Sequence, residues 1–179
     1  MARKFKGQNK RRTVSKTTLL VVGEGPDDQA FIKHMNQQFR NENTQRSATI
    51  KKESGGSPGN IITNTTRKYQ NSDYDQRIIV LDSDIPVGAA SRALASKHGF
   101  AIVLWSPTCL EGALLDVLGE PVHAHESNQA LKGRLHPRLA AHHTEPEAYA
   151  GLFPKPILKE AVNASVVQVR SALTGKTGQ

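Results

Sequence analysis

Two apolar runs in this chain end on carboxylates: Leu19-Leu20-Val21-Val22-Gly23-Glu24 near the start, and Ile78-Ile79-Val80-Leu81-Asp82-Ser83-Asp84 near the middle. A short unbroken run of branched residues reads as a strand buried on both faces, which is the habit of parallel sheets covered by helices. The carboxyl ends of such strands are where ligands bind. Glu24, Asp82 and Asp84 gathered at one edge would repel one another unless a divalent cation lay among them, and oxygen ligands of this kind suit magnesium or manganese. Residues two apart in extended backbone point to the same side, so Asp82 and Asp84 can face one cation together.

The segments between these runs carry helical patterns. Residues 18–22 form the first strand, and Gly23-Glu24-Gly25-Pro26 turns it into a helix. There Pro26 fits a first helical position, and Asp27 and Asp28 suit the positive end of the dipole. Phe31, Met35 and Phe39 recur at fourfold spacing with Ile32 beside them, the buried stripe of an amphipathic helix. Residues 47–52 are a weaker strand, the glycine-rich run from Glu53 to Asn60 is a loop, and a helix follows to about Tyr69. The second signature strand spans 77–81. A helix opened by Pro86-Val87-Gly88 reaches Lys97, Gly99 stops it, and Phe100 to Trp105 is a fourth strand. Strands alternating with helices predict right-handed crossovers and a parallel, three-layer α/β sheet. After Pro107 the pattern is mostly helical, from Cys109 to Leu118 and from Pro156 to about Leu173. The expected organisation is a basic tail over 1–17, a core over 18–120 and a helical extension over 121–179 packed on it.

The length suits one core rather than two. No apolar stretch is long enough for a membrane span, so the expectation is a soluble, cytoplasmic protein without a membrane partner. A single cysteine, Cys109, excludes an internal disulfide and a cysteine-based zinc site. Of the net charge of +8, most comes from Arg3, Lys4, Lys6, Lys10, Arg11, Arg12 and Lys16, with no acid among them. Such an arm can contact nucleic-acid phosphates by counterion release, and reads equally as a solvated extension that holds a protein partner. His123-Ala-His125 and His142-His143 lack the His-Glu-x-x-His helical pattern of zinc hydrolases; surface or interface positions are expected for them. The Ser54 to Gly59 loop lacks the lysine of a P-loop, and Glu111 reads equally as a site carboxylate or a first-turn helix charge.

A glutamate in a strand-to-helix turn, followed by Asp-x-Asp after a second apolar strand, resembles the Toprim domain of topoisomerases, primases and overcoming-lysogenization-defect nucleases. Further details resemble the RloB-like branch: Glu24-Gly25 leading to Phe31, the Gly55-Gly56-Ser57-Pro58 loop, and Ser106-Pro107-Thr108-Cys109-Leu110-Glu111 in place of an Asn-Pro-Cys-Phe-Glu element. Gly23 before the acid, Leu110 for the aromatic and the lack of an ATPase domain depart from that pattern. The resemblance implies a Rossmann-like Toprim sheet with helices on both faces. It further implies Mg2+ or Mn2+ held by Asp82 and Asp84 with Glu24 in proton transfer or metal binding, Glu111 as a further carboxylate, and cleavage of DNA or RNA phosphodiesters. An anti-phage, abortive-infection effector working with an ATPase or another defence-system subunit would fit. The alternative is a non-catalytic Toprim-fold subunit that binds an ATPase or a nucleoprotein complex. The chain has no room for the domain that presents a topoisomerase tyrosine, nor for the extra domains of a replicative primase.

Overall fold

The computed structural model describes residues 16–42 and 45–176. Four strands, β1 (Thr17–Gly23), β2 (Arg46–Lys52), β3 (Gln76–Asp82) and β4 (Phe100–Trp105), form one sheet in the order β2-β1-β3-β4. Every pairing is parallel, with Val22 opposite Ile79 and Asp82 opposite Trp105. Alternation along the two central strands splits their apolar residues between two cores. Leu19, Val21, Ile78 and Val80 enter one, and Leu20, Val22, Ile79 and Leu81 the other. That division is why both strands read as continuous apolar runs rather than alternating ones.

Helix α1 (Pro26–Phe39) follows β1 and fills the first core with Phe31, Ile32, Met35 and Phe39. Helices α2 (Pro58–Tyr69) and α3 (Ala89–Lys97) follow β2 and β3 and cover the second core with Ile61, Ile62 and Ala95. The remaining helices, α4 (Leu110–Val117), α5 (Asn128–Leu135), α6 (Lys155–Glu160) and α7 (Ala164–Thr174), return to the first core through Leu114, Leu131, Leu158 and Val166. The expected parallel α/β sheet with helices on both faces and a helical C-terminal part is thus observed. Chain order reverses between β1 and β3: β1 leads outward to β2 on one side, and the chain then crosses back to β3 and β4 on the other. The carboxyl ends of β1 and β3 therefore flank the crevice in which open α/β sheets bind ligands.

Several boundaries differ from the sequence expectation. The glycine-rich loop ends at Ser57, whose Oγ accepts from the Asn60 N–H, so Pro58 to Asn60 form the first turn of α2. The helix expected from Pro86 begins only at Ala89. The single C-terminal helix expected from Pro156 is two, α6 and α7. Asn163 breaks it: its Oδ1 accepts from the Val166 N–H as an N-cap, while its Nδ2 donates to Ser106 O and to Asp116 Oδ2, each at 2.8 Å. A capping side chain that also ties down the loop after β4 cannot be read from helical periodicity. Among the described residues no helix is long and apolar enough to cross a membrane.

Candidate functional site

Glu24 leaves the end of β1 half-buried, and its Oε2 accepts from the backbone N–H of Asp82, at the end of β3, at 2.8 Å. The two signature acids are thereby joined across the switch point. Asp82 Oδ1 in turn accepts from the Leu110 N–H at 3.2 Å, at the N-terminus of α4. Asp84, two residues on, is exposed, and its Oδ2 accepts from Asn128 Nδ2 at 2.9 Å. Glu111, in the first turn of α4, is 2% exposed, too deep for a solvated helix-end charge. Asp28 belongs to the same acidic group. Its side chain accepts from Trp105 Nε1 at 2.6 Å and from the Gly25 N–H at 3.0 Å. Sequence reasoning assigned Asp27 and Asp28 to the helix end; both are buried there, with specific partners.

Burial raises the pKa of Asp82 to about 8, with the charges of Asp28, Glu24 and Glu111 adding to it against the Leu110 hydrogen bond. Burial also raises Asp28 to about 7, opposed mainly by the indole N–H of Trp105. Glu24 is raised by burial and by Asp84, partly offset by the Asp82 N–H and by Lys132. Buried acids that raise one another mark a site short of positive charge. Lys132, on α5, supplies part of it. Burial pulls its own pKa down, but Glu111, Asp27 and Asp82 together push it above the ordinary value. Nothing in the local sequence around Lys132 marks it; only the packing of α5 on α4 brings it here. Asn128 Oδ1 is buried without a hydrogen-bond partner, beside the amide that holds Asp84. An oxygen left so, beside the Asp84 carboxylate, fits a hard divalent cation of the magnesium class.

Two loops fix these side chains. Thr108 O accepts from the N–H groups of Ser83 at 2.9 Å and Asp84 at 3.0 Å, so the loop after β4 holds the Asp82-Ser83-Asp84 turn. Thr108 does this with a φ of 66°, a conformation uncommon for a β-branched residue. The run 106–111 that drew the family resemblance is thus the strap across the aspartate turn. On the other side, Arg134 bonds both carboxylate oxygens of Glu126, at 2.7 and 2.9 Å, and reaches Glu120, which also holds Arg138. Arg134 Nη1 thus serves both Glu126 oxygens while Nη2 serves Glu120 and Pro121 O, and this clamp anchors the chain on which Lys132 and His136 lie.

A second constellation adjoins the first. Asp27 Oδ1 is 2.6 Å from His143 Nδ1, and Asp27 Oδ2 is 3.9 Å from His136 Nε2. The same Nε2 is 2.9 Å from Glu111 Oε1. The two imidazole rings stack 4.2 Å apart at 13°. Asp27, His136 and His143 form a cluster whose geometry could hold a metal ion. His142 lies exposed, as expected of a surface position, while the partly buried His143 is brought by a loop back onto α1. Tyr149, buried against Phe31, fixes that loop by donating its hydroxyl to His143 O at 2.7 Å. His123 and His125 remain exposed, stacked on each other.

Other singled-out residues lie apart. Lys155 pairs with Glu42, Arg92 bonds Val87 O, and Cys109 is buried with its thiol pushed up to about 12, which makes it inert. Arg3, Lys4, Lys6, Lys10, Arg11 and Arg12 lie outside the described residues, and Lys16 is exposed just before β1. No family model matches the chain, and no curated protein or solved structure does either.

Proposed function

We propose that the chain is a metal-dependent, Toprim-like nuclease that hydrolyses DNA or RNA phosphodiesters at the β1–β3 switch point. The observation that carries this reading is the convergence of Glu24, Asp82, Asp28 and Glu111 at that edge, with Asp84 on its rim. Asp82 and Asp84, with Glu24 and Glu111 beside them, would hold Mg2+ or Mn2+. Such an ion stabilises charge on a phosphoryl oxygen and lowers the pKa of water. Glu24, whose pKa burial raises above the ordinary carboxylate value, is suited to proton transfer, and its bond to the Asp82 N–H fixes one oxygen while the other stays available. Lys132 adds positive charge where a phosphate diester would bring negative charge. Trp105 holds the buried Asp28 carboxylate in place through its indole N–H.

The biological setting that fits is an anti-phage effector in the cytoplasm, restrained or triggered by a protein partner such as an ATPase. The test is cleavage of DNA, rRNA and tRNA by the purified chain with Mg2+ or Mn2+, alone and with the products of neighbouring genes. Wild type is expected to cut, and Asp82→Ala and Glu24→Ala to lose at least about a hundredfold in rate. A wild type inert under all these conditions ends the nuclease reading. One observation favours the other reading, a non-catalytic Toprim-fold binding subunit: Lys132 already compensates part of the acidic charge. In that case Asp82→Asn and Asp84→Asn leave the cellular phenotype intact, while removal of the basic tail abolishes assembly.

A further inference from the structure

We propose that Asp27, His136 and His143 form a second cation site, separate from the carboxylate edge, that takes a transition-metal ion of the zinc class rather than magnesium. The three residues come from the first turn of α1, the turn after α5 and the loop before Tyr149, so only the tertiary fold assembles them. Their donor atoms all lie within 4.8 Å of one another. Zinc bonds of about 2.0 to 2.2 Å to nitrogen and oxygen put tetrahedral ligands about 3.3 Å apart. The two Asp27 contacts, at 2.6 and 3.9 Å, bracket that separation. The two rings stack nearly parallel, so one imidazole rotates out of the stack to bring both nitrogens onto one ion.

The donor set decides the metal. Two imidazole nitrogens and one carboxylate suit zinc and its neighbours, whereas magnesium prefers oxygen alone. The ring nitrogens already face the two oxygens of one carboxylate, and the backbone around them is fixed by Tyr149 and by the Arg134 clamp. Glu111 Oε1 lies 2.9 Å from the same His136 nitrogen, at the border with the carboxylate edge, and a water would complete the zinc shell. Lys132 Nζ, 4.0 Å from Asp27 Oδ2, is the competing cation and would swing to solvent through its exposed side. The cluster is partly open, with His143 31% and His136 19% exposed, which gives an ion a path in.

Metal uptake here stands apart from the nuclease reading, and its readout is binding rather than cleavage. Zn2+ is titrated calorimetrically into the full chain with Mg2+ in excess to occupy the carboxylate edge. One Zn2+ per chain is expected. His143→Ala, His136→Ala and Asp27→Asn should each weaken it at least about tenfold, while His123→Ala with His125→Ala leaves it unchanged. No zinc uptake by wild type, or uptake as tight after His136→Ala with His143→Ala, overturns the proposal. X-ray absorption of the zinc-loaded wild type gives a reading that needs no variant to fold: two imidazoles in the ligand shell are expected, and an all-oxygen shell rejects the site.

Discussion

Asp82 combines two roles that conflict unless a cation is present. Its backbone N–H anchors Glu24, while its own carboxyl group is pushed up to about 8 by burial and by Asp28, Glu24 and Glu111. A carboxyl group whose pKa rises on folding stabilises the fold fully below its unfolded value, here 3.8, and that contribution is lost as pH rises through the folded value. The metal-free chain should therefore lose stability steadily between about pH 4 and pH 8. Asp82→Asn, which keeps an oxygen for the Leu110 N–H, should recover on the order of 2 kcal/mol at pH 8. Mg2+ should do the same for wild type, adding about 2.7 kcal/mol at a hundred times its Kd, with affinity that rises toward pH 8 as the carboxyl proton is displaced. Thermal unfolding across pH, with and without Mg2+, checks all three. A wild-type Tm indifferent to Mg2+ at pH 8 rejects Asp82 as a ligand.

At the scale of elements, glycines set how closely the site's parts approach. A Cβ on Gly23 would lie 2.6 Å from Asp28 Cβ, so the glycine before Glu24 is what lets α1 start tight against β1 and bury Asp28. A Cβ on Gly112 would collide with Pro107 O, in the strap that holds the aspartate turn. Gly112→Ala, although a better helix former, should destabilise the chain by about 1–3 kcal/mol through overpacking. It should also weaken Mg2+ binding, because Thr108 would be pushed off Ser83 and Asp84. Urea unfolding and calorimetry of this variant read both effects; unchanged metal affinity would show that the strap does not position the acids. The strands and the acids at their ends were legible because the apolar runs are short, rich in β-branched residues and bounded by turn residues, which together favour a buried strand over a buried helix. The departure of Gly23 from the family pattern was visible, yet its cause lies in a contact with Asp28 that local sequence does not encode. His136, His143 and Lys132 were illegible for a related reason: they lie on turns and a weakly amphipathic helix, and what brings them together is Asp27 on α1, 116 residues from His143.

Across the whole molecule, charge is divided between the two edges of the sheet. The carboxyl edge carries the acids. At the amino edge Lys16, Lys33, Arg40 and Arg46 line a cavity of about 590 Å³, with Arg46 tied to Gln76 and Ala172. The segment rich in Arg and Lys joins the sheet at this amino edge, because β1 begins at Thr17. A seven-residue strand separates the edges by about 20 Å, and fifteen residues of chain reach at most about 50 Å, so an arm rooted at one edge can still contact a nucleic acid engaged at the other. Under the nuclease proposal two jobs would fall to two regions: the arm would supply affinity without sequence preference, and the acids would supply chemistry. Removing residues 1–15 takes away six cations. It should flatten the dependence of log affinity on log salt by up to about 4 to 5 and weaken binding most at low ionic strength. The pattern of cleavage sites should stay the same, since phosphate contacts position without specifying. Filter binding at several salt concentrations, paired with sequencing of the cleavage products, separates the two jobs. An unchanged salt slope would assign the arm to a protein partner, and a changed cleavage pattern would place it in the recognition of sequence.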